Sequence, residues 1–165
     1  MTAFMQSGLD GLLMGGVYAL AALGISLIFG VMKITNFAHG ALLTLGMYIT
    51  FQIYSLTGAL PYIAMVPAVL IMFAIGYLIQ RGLLAHIMSA PSHNQLVLTL
   101  GLQLIVQNLI LMIWGSDYKR VSVASFDTAW RIGPLAVNKP RLIAFIFAFA
   151  ITLLLYFIME RTDLG

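Results

Sequence analysis

Five stretches of about 20 apolar residues, each nearly free of charge, make up most of this chain. A helix needs about 20 such residues to cross about 30 Å of hydrocarbon, so each stretch is long enough to span a bilayer. They cover residues 11–32, closed by Lys33; 37 to about 56, with His39 near its start; 60–80, closed by Arg81; 95–114; and 142–159, closed by Glu160 and Arg161. None reads as a barrel strand, which is about 10 residues long and alternates apolar with polar. Composition removes the soluble alternative. The 165 residues are 62% hydrophobic and only 8% charged, where an ordinary soluble domain is about 25% charged. The expected fold is all-α, a polytopic transmembrane bundle of about five helices forming a single domain over residues 1–165. The N-terminus has no basic n-region and carries Asp10 early, unlike a cleaved signal peptide.

The connections differ in kind. Ile34-Thr35-Asn36 is a very tight turn, and Ser55-Leu56-Thr57-Gly58 a short hairpin loop. Residues 82–94 hold the turn signal Ser89-Ala90-Pro91-Ser92. The longest connection, 115–140, is polar, aromatic and basic, with Gly133-Pro134 and Lys139-Pro140 as breakers. Pro61 suits a first helical turn, whereas the interior Pro67 is expected to kink its helix. The first span repeats glycine at Gly8, Gly11, Gly15, Gly16, Gly24 and Gly30. Its Gly11/Gly15 pair suits close helix packing, either within the chain or along a homodimer seam.

Polar side chains within hydrocarbon must find partners or line a wet cavity. One group is Thr35-Asn36-Phe37-Ala38-His39-Gly40, with Asn36 expected to cap the second helix and His39 one turn inside it on the same side. It reads either as a capped junction at the membrane edge or as a polar lining where solute passes or a gate closes. A second group is Thr99, Gln103, Gln107 and Asn108 in the fourth span. The first three, at i, i+4 and i+8, are expected to form one polar stripe, used for interhelical hydrogen bonds or for a solute pathway.

Nothing points to catalysis. Asp10, Asp117, Asp127, Glu160 and Asp163 sit near membrane edges or in loops, and no two pair for acid–base chemistry within a span. His39, His86 and His93 are far apart without acidic companions, so no metal site and no cofactor is expected. The absence of cysteine excludes disulfides and thiolate sites. No GxxxxGK[ST] loop is present to hold a nucleotide.

The segment GGVYALAALGISLIFGVMKITNFAHGALLTLG, with its core Asn36-Phe37-Ala38-His39-Gly40, resembles the inner-membrane permease of bacterial branched-chain amino acid ABC importers. The similarity continues through Gly101, Gln107 and Asn108 and through the close Glu160-Arg161-Thr162-Asp163-Leu164-Gly165. The resemblance implies a multi-pass subunit of the bacterial inner membrane that is not itself an enzyme. Its partners would be a second permease subunit, two cytoplasmic ATPase subunits that hydrolyse the ATP, and a periplasmic substrate-binding protein. No nucleic acid is implied. Import of another small solute such as urea or short amides, and a truncated scaffold that transports nothing, are the alternative readings.

Family permeases are longer, with a basic coupling segment just after the position of Gly165, so the chain is expected to be the N-terminal part of a longer permease. The family topology puts the N-terminus outside, which leaves Lys33, Arg81 and Arg161 inside and Lys119, Arg120, Arg131, Lys139 and Arg141 outside. The positive-inside rule alone prefers the reverse. In the family orientation Lys119, Arg120 and Arg131 are candidates for steering an acidic binding protein onto the permease, or else anchor a solvated loop together with Trp114, Tyr118 and Trp130.

Overall fold

A computed structural model of the chain describes residues 2–32, 34, 36–87, 90–121, 130–132 and 135–161. Lys33, Thr35, Ser89, Asp127, Gly133, Pro134 and residues 162–165, named above, lie outside the described residues, and Arg131 is described in its backbone alone. The elements in order are α1 (Thr2–Met32), α2 (His39–Thr57), α3 (Pro61–Gly82), a 3-10 turn (Leu84–His86), α4 (Ser92–Trp114), β1 (Trp130–Ile132), β2 (Leu135–Val137) and α5 (Lys139–Arg161). Each expected span is a helix. The two short strands were not expected; they form one antiparallel ribbon with Trp130 opposite Val137 and Ile132 opposite Leu135.

Among the described residues, four helices are long and apolar enough to cross a membrane: Thr2–Gly30, Pro61–His86, Ser92–Trp114 and Lys139–Arg161. The exception is α2. Its 19 residues reach about 28 Å at 1.5 Å per residue, but they include His39, Gln52, three threonines and two tyrosines. The chain divides into two compact units, Met32–Val121 and Met1–Val31 with Ser122–Gly165.

In the unit 32–121, α2 is the shared element, packing against α3 and against α4. Its polarity is tolerable there because both neighbours cover it. Ala38 and Ala41 pack with Leu102, Val106 and Ile110 of α4, and Leu42, Leu45, Tyr48, Ile79 and Trp114 close around them. On α3 the buried residues are Ala64 and Ala68, small side chains that let helix backbones approach closely. Pro61 occupies the first turn as expected, and Pro67 does not end the helix. Ser55, Leu56 and Thr57, expected in a hairpin loop, are the last residues of α2, which stops at Gly58, whose φ of 66° is the left-handed conformation that favours glycine. The buried Gln95 amide donates to the carbonyls of Ile87 and Ala90 at 3.3 and 3.1 Å, fixing the connection into α4.

The entry to α2 corrects an expectation. Asn36 is not the cap residue of the helix; Ala38 holds that position and offers no side-chain cap. Asn36 instead forms a turn ahead of it, its Oδ1 accepting the Ala38 N–H at 3.0 Å. His39 is therefore the first helical residue, not one turn inside on Asn36's side. The Asx turn satisfies the N–H of Ala38, and the Asn36 carbonyl accepts that of His39 at 3.4 Å.

In the other unit, α1 begins nine residues before its expected span, so Asp10 lies within the helix. The full helix is about 46 Å long at 1.5 Å per residue, well over the hydrocarbon thickness, and its first turns are held by polar groups. The Gln6 amide makes paired bonds with Ala136, donating to its carbonyl at 2.8 Å and accepting its N–H at 2.9 Å. Gln6 also donates to Asp10 at 3.1 Å, and Arg141 pairs with Asp10 at 3.0 Å. Lys139-Pro140, expected as a loop breaker, opens α5 instead. Asn138 Oδ1 accepts the Arg141 N–H at 3.2 Å, and a first-turn proline lacks only a donor that the helix does not need.

The α1 glycines divide sharply. The Phe145 ring lies where a Cβ at Gly16 would project, whereas Gly11 and Gly15 have nothing within 4 Å. The close approach within this unit thus uses Gly16 and not the Gly11/Gly15 pair. Gly16→Ala is expected to lower the thermal unfolding midpoint in detergent, because the crowded ring must shift at a cost of about 1–3 kcal/mol. Gly11→Ala, in open space, is expected to be neutral or to gain up to about 1 kcal/mol of helix propensity. Equal effects at the two sites would contradict the packing. Asn36→Ala strands the N–H of the fully buried Ala38, an expected loss of about 1–3 kcal/mol. Asn36→Asp keeps the acceptor and the midpoint; a stable Asn36→Ala protein would remove the turn's assigned role.

Candidate functional site

The site is built on the two faces of α2. Toward α4, Ala41, Leu45, Tyr48 and Gln52 face the packed side. Here the Trp114 indole donates to Gln52 Oε1 at 2.8 Å while its ring lies 5.2 Å from that of Tyr48. Trp114, read from sequence as an interfacial anchor, is thus an interhelical clamp. Gln52 escaped notice, although an amide in a membrane helix always requires a partner.

Toward α3, a groove of about 1010 Å³ runs along α2 from His39 to Phe51. Its walls include Leu43, Met47, Met65, Val69, Met72 and Phe73, and Tyr118 and Lys119 lie at its rim. The Thr44 and Thr50 hydroxyls along it donate to the helix's own carbonyls, those of Gly40 and Gly46, at 2.9 and 2.8 Å. Sequence reading missed the groove because no period in α2 distinguishes a groove face from a lipid face.

The expected site residues do not gather in one place. His39 lines the groove, while Asn36 is engaged in the turn before it. Of the motif residues between and beside them, Phe37 and Gly40 are exposed and Ala38 is fully buried. On α4 the polar stripe does not hold to one face. Residues four apart turn by about 400°, so an i+4 row drifts by about 40° at each step. The buried face follows Gln95, Thr99, Leu102, Val106 and Ile110. Thr99 is fully buried and donates to Leu96 O at 3.1 Å. Gln103 is half-buried, Gln107 is exposed, and Asn108, exposed on the opposite side, donates to Leu104 O at 2.8 Å. Gly101, also in α4, has nothing within 4 Å of its Cβ position.

Of the three candidate docking cations, Lys119 is half-buried at the groove and the neighbouring Arg120 is exposed. Arg131 belongs to β1, in the other unit. The remaining anchor candidates are exposed: Tyr118 at 90% and Trp130 at 58%, with the Lys139 ammonium 5.9 Å from the Trp130 ring centre. Among the described residues no three His, Asp or Glu side chains gather into a metal-binding group.

Comparison with known proteins gives this arrangement a context. Residues 8–165 match the family described as "Branched-chain amino acid transport system / permease component". The high-affinity branched-chain amino acid transport system permease protein LivH of Escherichia coli K12 is 30% identical over 139 residues, covering 79% of this chain and 44% of LivH. LivH of Salmonella typhimurium is 27% identical over the same shares. The Pseudomonas aeruginosa permease protein BraD is 26% identical over 126 residues, covering 72% of this chain and 41% of BraD. The chain thus spans less than half the length of the curated relatives it matches. No solved structure matches it. With four helices among the described residues able to cross a bilayer, it is a multi-pass inner-membrane protein. The match along residues 8–165 places the chain in the branched-chain amino acid permease family.

Proposed function

We propose that this chain forms the N-terminal part of a permease subunit through which an ATP-driven importer moves branched-chain amino acids. The observation that carries the reading is the family match over nearly the whole chain, including the Asn36-Phe37-Ala38-His39-Gly40 core. In this reading a second permease subunit completes the translocation path, two cytoplasmic ATPases drive it, and a periplasmic binding protein delivers the solute. The chain itself hydrolyses nothing.

Alternating access would require α2 to bear polar groups that neighbouring helices engage, and its position between α3 and α4 supports that role. His39, at the start of α2 where the motif lies, is assigned to the pathway or its gate, with Asn36 shaping the turn that presents it. Gln103 and Gln107 make no hydrogen bond among the described residues. Amides at this depth are costly against lipid, which supports a pathway or a subunit interface beside that side of α4; Asn108, on another side of the helix, is assigned to the pathway or interface only through its own exposed amide. The exposed Arg120 is assigned to the outer surface, where charges mainly steer association.

Uptake of labelled leucine by the native cells, with and without the gene and in a strain lacking redundant transporters, tests the reading. Loss of uptake on deletion is expected, with competition by isoleucine and valine but not by urea. His39→Ala and Gln107→Leu are expected to lower uptake severalfold at unchanged membrane levels. Unchanged uptake on deletion removes the substrate assignment; full uptake in both variants removes those residues from the path.

A further inference from the structure

The groove between α2 and α3 has a chemistry of its own. From His39 to Phe51 it follows α2 for about 18 Å, at 1.5 Å per residue, close to the depth of one leaflet of a bilayer with about 30 Å of hydrocarbon. Its walls are mainly aliphatic, aromatic and thioether, with His39 and two threonines among them, and no carboxylate lines it. The two threonine hydroxyls along it are already committed to backbone carbonyls. At the rim stands the half-buried Lys119, which has no ion-pair partner among the described residues. An ammonium group lining a groove without carboxylates favours an anionic ligand over a cationic one.

We propose that this groove binds an anionic phospholipid of the bilayer, with the phosphate at Lys119 and an acyl chain laid between α2 and α3. Charge complementarity selects this occupant over others. A zwitterionic amino acid brings an ammonium group that no carboxylate of the groove receives. Phosphatidylcholine brings a quaternary cation toward Lys119, whereas phosphatidylglycerol presents its phosphate without one. The Tyr118 hydroxyl, also at the rim, is a hydrogen-bond donor for the same phosphate. The methionines, Met47, Met65 and Met72, suit an acyl chain because their unbranched thioethers adapt to irregular apolar shapes.

The test is native mass spectrometry of the purified full chain in detergent with equal amounts of dioleoyl phosphatidylglycerol and dioleoyl phosphatidylcholine. The wild type is expected to retain the phosphatidylglycerol severalfold more than the phosphatidylcholine. Lys119→Gln is expected to abolish that preference, while Lys119→Arg and the adjacent Arg120→Gln keep it, which separates loss of the site from loss of fold. Val69→Trp, which narrows the groove, is expected to reduce retention of both lipids. Equal retention by the wild type, a preference that survives Lys119→Gln, or a preference lost equally in Arg120→Gln would overturn the proposal. Displacement of the lipid by added leucine would also overturn it and give the groove to the amino acid.

Discussion

Everything in the central unit depends on covering α2. A helix with His39, Gln52 and several hydroxyls is poorly suited to face lipid on all sides, because hydrocarbon supplies no hydrogen bonds. The chain resolves this by flanking α2 on both sides. Its threonines donate to helix carbonyls four residues earlier, and Gln52 accepts the indole N–H of Trp114. With no hydrophobic drive between helices in lipid, the association rests on close packing and on such bonds. Ala38, Ala41, Ala64 and Ala68, all buried, allow the backbones to approach closely enough for both.

The second unit uses a different device at a membrane edge. α1 is too long for the bilayer, and its polar first turns are clasped by the ribbon through Gln6 and by α5 through Asp10 and Arg141. The ion pair is about half exposed and by itself contributes under about 1 kcal/mol. Gln6 gives the clasp its geometry, since one amide satisfies both polar groups of Ala136 on the edge of a two-stranded ribbon.

Much of this was legible in the sequence. The five helices, the first-turn position of Pro61 and the family followed from apolar run length and from the Asn36-Phe37-Ala38-His39-Gly40 core. Helix ends were less legible. Asp10 read as the edge of a span because a buried carboxylate is costly, yet Arg141, distant in sequence, pairs with it. Lys139-Pro140 read as a break because the capping role of Asn138 was overlooked. The stripe Thr99-Gln103-Gln107 looked straight on paper, but 3.6 residues per turn carry it away from the buried face. The partner of Gln52 and the groove beside His39 depend on which helices are neighbours, and hydropathy does not encode that.

The polar and apolar faces of α2 therefore have separate roles. One side locks to α4 through small residues and a tryptophan clamp, and the other opens on α3 as a groove with a cation at its rim. The chain contains no cysteine, which makes the arrangement directly accessible to disulfide trapping in native membranes. The measurement is the yield of copper-phenanthroline crosslinking in the double variant Ala41→Cys/Val106→Cys, compared with Leu43→Cys/Val106→Cys. Residues 41 and 106 share the packed cluster, whereas Leu43 lines the groove on the other side of α2. Efficient crosslinking of the first pair and little of the second is the expected result; the opposite ranking would contradict α2 as the helix on which α3 and α4 assemble.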